Sequence, residues 1–278
     1  MFIEAGTALS LAEYTLEHDK ALRKNFNKLR LWLKRGTLSI AVFGPGGTGK
    51  STLGQYLIGK LPQGGNGSYR ESLDIEVREV DGLGCHLLVA PGQPRRRKTH
   101  FPKLFADISS GKTTGIINVV SYGCHSFATE LKSMPLFKAG MTSDDFMKSY
   151  LVDRREEELN VLKELVAGLS SAQGPLWMLT VVLKQDLWWD NRVEVQKHYM
   201  EGEYEKHIQS LLGSLGAQNF SHDYLSACPI MFNFVAPGGL TLVKTTAGYD
   251  QPTQYANSRN LISTVIKRAG GKDAETTS

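Results

Sequence analysis

Residues 44–51 read Gly44-Pro45-Gly46-Gly47-Thr48-Gly49-Lys50-Ser51, and the architecture around them follows from that octapeptide. It fits the spacing G-x-x-x-x-G-K-[ST], in which glycines let successive backbone N–H groups turn inward around phosphate oxygens. The apolar run 38–43 before it reads as a buried strand, and residues 50–60 after it read as a helix, whose N-terminal end favours an anion. In that setting Gly44 to Thr52 cradle phosphates, Lys50 neutralises their charge and Ser51 ligates magnesium. A glycine turn that happens to precede a lysine is the competing reading, and the strand and helix on either side speak against it.

Outward from this loop, strand-like and helix-like segments alternate. Further strands are expected over 74–80, 85–89, 115–120, 176–183 and 229–235. Helices are expected over 102–108, 145–169, 192–215 and 254–268, with Leu159, Leu162, Val166 and Leu169 as the buried stripe of the longest. Such alternation predicts an α/β fold of three layers, a mostly parallel six-stranded sheet with helices on both faces. Asp81-Gly82 is a tight-turn signal between two strand-like runs, so one edge strand is expected to be antiparallel. Ahead of the sheet, Leu22, Phe26, Leu29 and Leu33 recur at four-three-four spacing and predict an extra N-terminal amphipathic helix over 8–35, stopped by Gly36. The expected organisation is this helix in 1–36, one domain in 37–269 and a small, polar, disordered tail in 270–278. Two segments, 121–144 and 237–251, read as insertions, and loops of that length usually serve function or a partner.

Composition bounds the class. The chain has 278 residues, 41% hydrophobic and 22% charged, a globular balance. Its longest nearly unbroken apolar run, 176–183, falls well short of the ~18 residues a membrane-spanning helix needs. No basic stretch precedes the first apolar residues, and three cysteines form no disulfide framework, so a cytoplasmic protein with free thiols is expected. A net charge of +4 gives no strong nucleic-acid signal. Two basic clusters, within 20–35 and at Arg95-Arg96-Arg97-Lys98, read first as solvated faces; both also suit phosphates, acidic partners or a membrane surface. The run Arg154-Arg155-Glu156-Glu157-Glu158 lies in a helical pattern and likewise reads as a solvated face. Cys85-His86 and Cys124-His125 begin one strand and follow another, which on a parallel sheet sets them at opposite edges, too far apart to share a metal.

Three further stretches resemble one family. Val89-Ala90-Pro91-Gly92-Gln93 ends the hairpin, where Ras-like GTPases carry Asp-x-x-Gly-Gln; bacterial members of the gliding-motility type lack the acid and read Thr-Val-Pro-Gly-Gln. Leu183-Lys184-Gln185-Asp186 ends the fifth strand, where the family has Asn-Lys-x-Asp. Val235-Ala236-Pro237 is a weak match to the Ser-Ala-x that follows the sixth strand. From about 38 to 268 the chain therefore resembles Ras-like, translation-factor-related P-loop GTPases.

The resemblance implies a magnesium-dependent GTP-binding protein that hydrolyses GTP slowly to GDP and switches a protein partner. Gly92 would contact the γ-phosphate, Gln93 would orient the attacking water, and Lys184 and Asp186 would hold the guanine, with Ala236 beside it. In the loop 61–72, where the family keeps a magnesium-binding threonine, Ser72 or Ser68 is the available hydroxyl, and Arg70 is placed to stabilise transition-state charge in cis. A partner is expected at 8–35 and at the insertion 121–144, with membrane-surface contact by the basic helix as the other use. Two other functions stay open. The general form of the loop and Leu183 in place of asparagine suit an ATPase, while Val89 in place of the acid suits a nucleotide-binding scaffold that barely hydrolyses.

Overall fold

The computed structural model describes residues 20, 39–58, 76–80, 83–127, 129–237 and 239–268, and for 76–80 and 83–86 it describes the backbone alone. The helix expected over 8–35 apart from Lys20, the residues Ser68, Arg70 and Ser72, the Asp81-Gly82 turn and the tail 270–278 lie outside the described residues.

The chain begins with β1 (Ser39–Phe43), α1 (Lys50–Leu57), β2 (Glu76–Val80), β3 (Leu83–Val89), α2 (Pro94–Ser109) and β4 (Gly115–Val120). Next come α3 (Ser143–Leu169), β5 (Leu176–Val182), α4 (Gln185–Trp188), α5 (Arg192–Met200), α6 (Glu203–Leu215) and β6 (Phe220–Ser226). The chain closes with β7 (Phe234–Val235), β8 (Thr241–Val243) and α7 (Gln251–Arg268). The main sheet runs β2-β3-β1-β4-β5-β6, five strands parallel and β2 antiparallel at the edge, with Val77 opposite Leu88.

Alternation along each inner strand divides the core. Ile40, Val42, Ile117, Val119, Leu179 and Val181 face α1 and α7, where Leu53, Tyr56, Leu261 and Val265 meet them. The intervening Ala41, Phe43, Ile116, Val120, Met178 and Val182 face α2, α3, α5 and α6. A strand buried on both faces needs apolar residues at nearly every position, and β4 and β5 are buried throughout. Complete burial of each Val, Leu or Ile contributes ~1.5–3 kcal/mol, so these central strands dominate stability.

Four expectations are corrected. The sixth strand is Phe220–Ser226 rather than 229–235; its half-buried, polar residues mark a sheet edge, and Val235 pairs instead with Thr241 in a separate two-stranded sheet. The helix expected over 192–215 is two helices, parted where Gly202 becomes extended. The helix expected from 102 begins at Pro94, whose fixed φ and missing N–H suit a first helical turn, so the basic run belongs to a helix. In α3, started by Thr142 accepting from the Asp145 N–H, the buried stripe is Val161, Leu162, Leu165 and Leu169, and it continues N-terminally through Glu158. Glu158 and Arg97, both read as solvated charges, are buried.

The insertion 121–144 covers the carboxyl ends of the sheet. Its Leu131, Met134, Leu136, Phe137 and Met141 pack on a third apolar cluster that includes Phe127, Phe146, Tyr150 and Phe234.

Candidate functional site

In open parallel sheets, ligands sit outside the carboxyl ends of the strands where the chain switches sides. Here β1 is that strand, flanked by β3 and β4, and its carboxyl end runs directly into residues 44–51. Gly44, Gly47 and Gly49 take φ values of +138°, +78° and +103°. A side chain is excluded at the first two by contact as well: a Cβ would lie 2.2 Å from the Val119 carbonyl oxygen at Gly44, and 2.7 Å from the Ser126 nitrogen and oxygen at Gly47. Lys50 Nζ donates to the Gly44 oxygen at 2.9 Å and to the Pro45 oxygen at 2.7 Å, and Thr48 Oγ1 donates to the Pro45 oxygen at 3.1 Å. The result is a closed concavity at the N-terminus of α1, with a buried ammonium across it. That arrangement suits a phosphate chain.

Gly92 closes against the same loop. A Cβ there would lie 2.4 Å from the Gly46 nitrogen and 2.5 Å from Lys50 Nζ. Gln93 follows in extended backbone as the N-cap of α2. The Gly92 carbonyl accepts from Arg97 at 2.8 Å, and Arg97 in turn meets Glu157 at 3.4 Å and Glu164 at 3.2 Å. The buried arginine of the basic run thus pins the segment that carries Gly92 and Gln93.

Lys184, in left-handed backbone at φ 58°, turns its ammonium under the phosphate loop rather than into solvent. It donates to the Gly47 oxygen at 2.9 Å, to Ser126 Oγ at 3.1 Å and to the Cys124 oxygen, and lies over the Phe234 ring. Burial brings this ammonium down to about 8. Asp186 is 1% exposed. Its Oδ1 accepts from the Cys228 thiol at 3.0 Å, and its Oδ2 from the Phe232 N–H at 3.0 Å. Burial raises its carboxyl, and those two donors counter the rise. The Asp186 N–H adds a third internal partner, so this carboxylate is held mainly by the chain itself.

Ala236 does not lie at the end of the sixth strand. It sits in the β7–β8 turn, its N–H donating to the Leu240 oxygen at 2.8 Å. The residues that do follow β6 are Ala227 and Cys228, so the stretch at that strand's carboxyl end is Ser226-Ala227-Cys228. Ser226 Oγ accepts from Gln185 at 2.8 Å, the Ala227 N–H donates to the Val182 oxygen at 3.1 Å, and Cys228 reaches Asp186.

For magnesium, Ser51 on the first turn of α1 offers an oxygen at the phosphate side. Val89, at the carboxyl end of β3, is apolar and fully buried. Among the described residues no group of three or more His, Cys, Asp or Glu side chains is placed to hold a metal. Magnesium is commonly held by a carboxylate together with substrate phosphates, and here positions 51 and 89 carry a hydroxyl and a valine, so the fit is incomplete.

No protein-family model matches the chain, and no curated protein matches its sequence. Among solved structures it is similar to the signal recognition particle receptor SRb-GTP/SRX complex from Chaetomium thermophilum, at 14% identity and a TM-score of 0.42, covering 70% of this chain and 91% of that one. It is also similar to the ADP-ribosylation-factor-like GTP-binding protein, small COPII coat GTPase SAR1, from Encephalitozoon cuniculi in complex with GDP. That match has 13% identity and a TM-score of 0.36, and covers 96% of this chain and 98% of that one. Likeness of that degree leaves the function to be argued from the site.

Proposed function

We propose that the chain binds GTP with magnesium, hydrolyses it slowly to GDP and switches a protein partner between two states. The observation that carries this is the contact between two separate segments: Gly92 lies against the Gly46 nitrogen and Lys50 Nζ of the phosphate loop, with Gln93 next to it. A γ-phosphate in the concavity would lie against this junction, so its presence or loss changes what 91–93 can touch. Lys50 binds the β- and γ-phosphates, Ser51 holds the metal that accompanies them, and Gln93 orients water. Asp186 reads the guanine once its carboxylate is freed from part of its internal bonding, with the Ala227–Cys228 backbone beside it. A partner contact falls to 8–35 and to the solvent side of the insertion, where Glu130, Lys132 and Lys138 are exposed.

Val89 and the internally bonded Asp186 favour a second function, a nucleotide-binding scaffold with negligible turnover. Identifying the nucleotide that copurifies and following a single turnover separates the two. Gln93→Leu is expected to retain nucleotide affinity and slow hydrolysis by ~10-fold or more, because the carboxamide acts on water rather than on the ground-state nucleotide. An unchanged rate removes Gln93 from the reaction.

A further inference from the structure

We infer that residues 121–127, clamped from behind by Glu158, form an outer brace that sets the phosphate loop, with Ser126 and Glu158 as positioning residues for nucleotide binding. The inference rests on loop 44–51 being a phosphate site. Its physical basis is the Gly47–Thr48 peptide. In a trans peptide the C=O and the following N–H point in opposite directions. The Gly47 carbonyl is held from outside by the Ser126 N–H at 3.0 Å and by Lys184 Nζ at 2.9 Å. The Thr48 N–H is thereby turned the other way, into the concavity where an anion would sit. Gly47 is in backbone contact with Ser126, so the brace tolerates little movement on either side.

The brace itself is built around one carboxylate. Glu158 is fully buried on α3. Its Oε1 accepts from the Ser121 N–H at 2.8 Å, the Gly123 N–H at 3.2 Å and His125 Nε2 at 2.9 Å, and its Oε2 accepts from Tyr199 at 2.6 Å. Tyr150 adds a bond to the His125 carbonyl at 2.8 Å. Tyr122 and Gly123 take φ values of 53° and 81°, and a Cβ on Gly123 would lie 2.4 Å from the Leu151 oxygen. Every residue from 121 to 125 is therefore fixed by a bond or a close backbone contact, and Ser126 leaves that clamp aimed at Gly47. A buried carboxylate is costly unless its bonds are used, and the amides it satisfies here all lie in the segment that touches the phosphate loop.

The test compares Glu158→Gln, Ser126→Ala and Ile108→Val, the last a core change on α2. Each is measured for GDP and GTP affinity and for hydrogen exchange of the amides of 45–50 without nucleotide. Glu158→Gln is expected to weaken nucleotide binding and speed that exchange by roughly tenfold to a hundredfold, the scale of one lost hydrogen bond to a charged group. Ser126→Ala, which keeps the N–H, is expected to cost roughly threefold. Ile108→Val should change neither. Wild-type exchange and affinity in folded Glu158→Gln, or an equal change in Ile108→Val, overturns the brace. Where Glu158→Gln does not fold, unchanged exchange and affinity in Ser126→Ala overturn it. If exchange responds to Glu158→Gln but the wild type takes no nucleotide, the brace stands and the nucleotide-binding function falls.

Discussion

At Gly92 and Asp186 the geometry turns on a single atom. Gly92 has no space for a methyl group, because the Gly46 nitrogen and Lys50 Nζ already occupy it. Overpacking of this kind costs ~1–3 kcal/mol, and here the strain falls on the groups that face phosphate. Gly92→Ala is accordingly expected to lower nucleotide affinity at least ~10-fold, the equivalent of 1.4 kcal/mol, while circular dichroism stays close to wild type; calorimetric titration checks this. Asp186 serves two sides. Asp186→Asn exchanges one acceptor for a donor that must face either the Cys228 thiol or the Phe232 N–H, at a cost of ~1–2 kcal/mol without any ligand. If the carboxylate also pairs with guanine N1–H and N2–H, the same variant loses GTP and gains xanthosine triphosphate, whose C2 oxygen suits the new donor. A stability loss with no change of base preference makes Asp186 an internal strut alone.

The elements that carry the site differ in how plainly the sequence declares them. Loop 44–51 and strands β1, β4 and β5 are legible because glycine spacing and doubly buried apolar runs have few alternatives. Strand β6 is not, since His222 and Asp223 on a half-buried edge resemble a loop, while Ile230-Met231-Phe232 downstream imitates a strand. That displacement also hid Ser226-Ala227-Cys228. Charges misled in the same way: Glu158 and Arg97 sit in charged runs, and only tertiary contacts show that one residue of each run turns inward. The Glu158 clamp has a pH signature. Burial would raise the Glu158 carboxyl, but its bonds from His125, Tyr199 and the Ser121 amide hold it below the usual range. Burial lowers His125, which stays neutral as a donor to that carboxylate, with Glu157 and Lys184 as the other charges acting on it. The unfolded chain therefore binds more protons than the folded one below about pH 6.5 at His125 and below about pH 4.5 at Glu158, so stability falls on acidification in both windows. His125→Gln keeps an N–H toward Glu158 and removes the first titration. Urea unfolding at about pH 7 and about pH 5 is expected to show a smaller loss in this variant. Half-buried His198 and His222, also lowered by desolvation, keep the slope above zero.

For the whole molecule, the proposed nucleotide site and the fold are linked. Loop 44–51 leaves β1, the brace leaves β4, Lys184 and Asp186 follow β5, and Ala227 and Cys228 follow β6, so a ligand bound as proposed would touch segments leaving four adjacent parallel strands. Those strands divide the two main apolar clusters between them, and neither cluster can open without disturbing the site. A ligand that binds only the folded state at 100 times its dissociation constant adds ~2.7 kcal/mol. In a chain of this size each kcal/mol raises the melting temperature by roughly 2–4 °C, so GTP is expected to raise it by roughly 5–10 °C. Adenine offers an acceptor at N1 and no amine at C2, leaving Asp186 opposite a lone pair, and a site built on such hydrogen bonds rejects the mismatch by orders of magnitude. ATP at the same concentration should then give a shift smaller by up to ~1.4 kcal/mol for each tenfold of lost affinity, vanishing once its dissociation constant exceeds the ligand concentration. Lys50→Ala is the internal control: it removes the proposed phosphate contact together with the bonds to the Gly44 and Pro45 oxygens, so its melting temperature should respond to neither nucleotide. Equal shifts with ATP and GTP in the wild type would transfer the protein to the ATPases. A shift retained in Lys50→Ala would remove the nucleotide from loop 44–51 altogether.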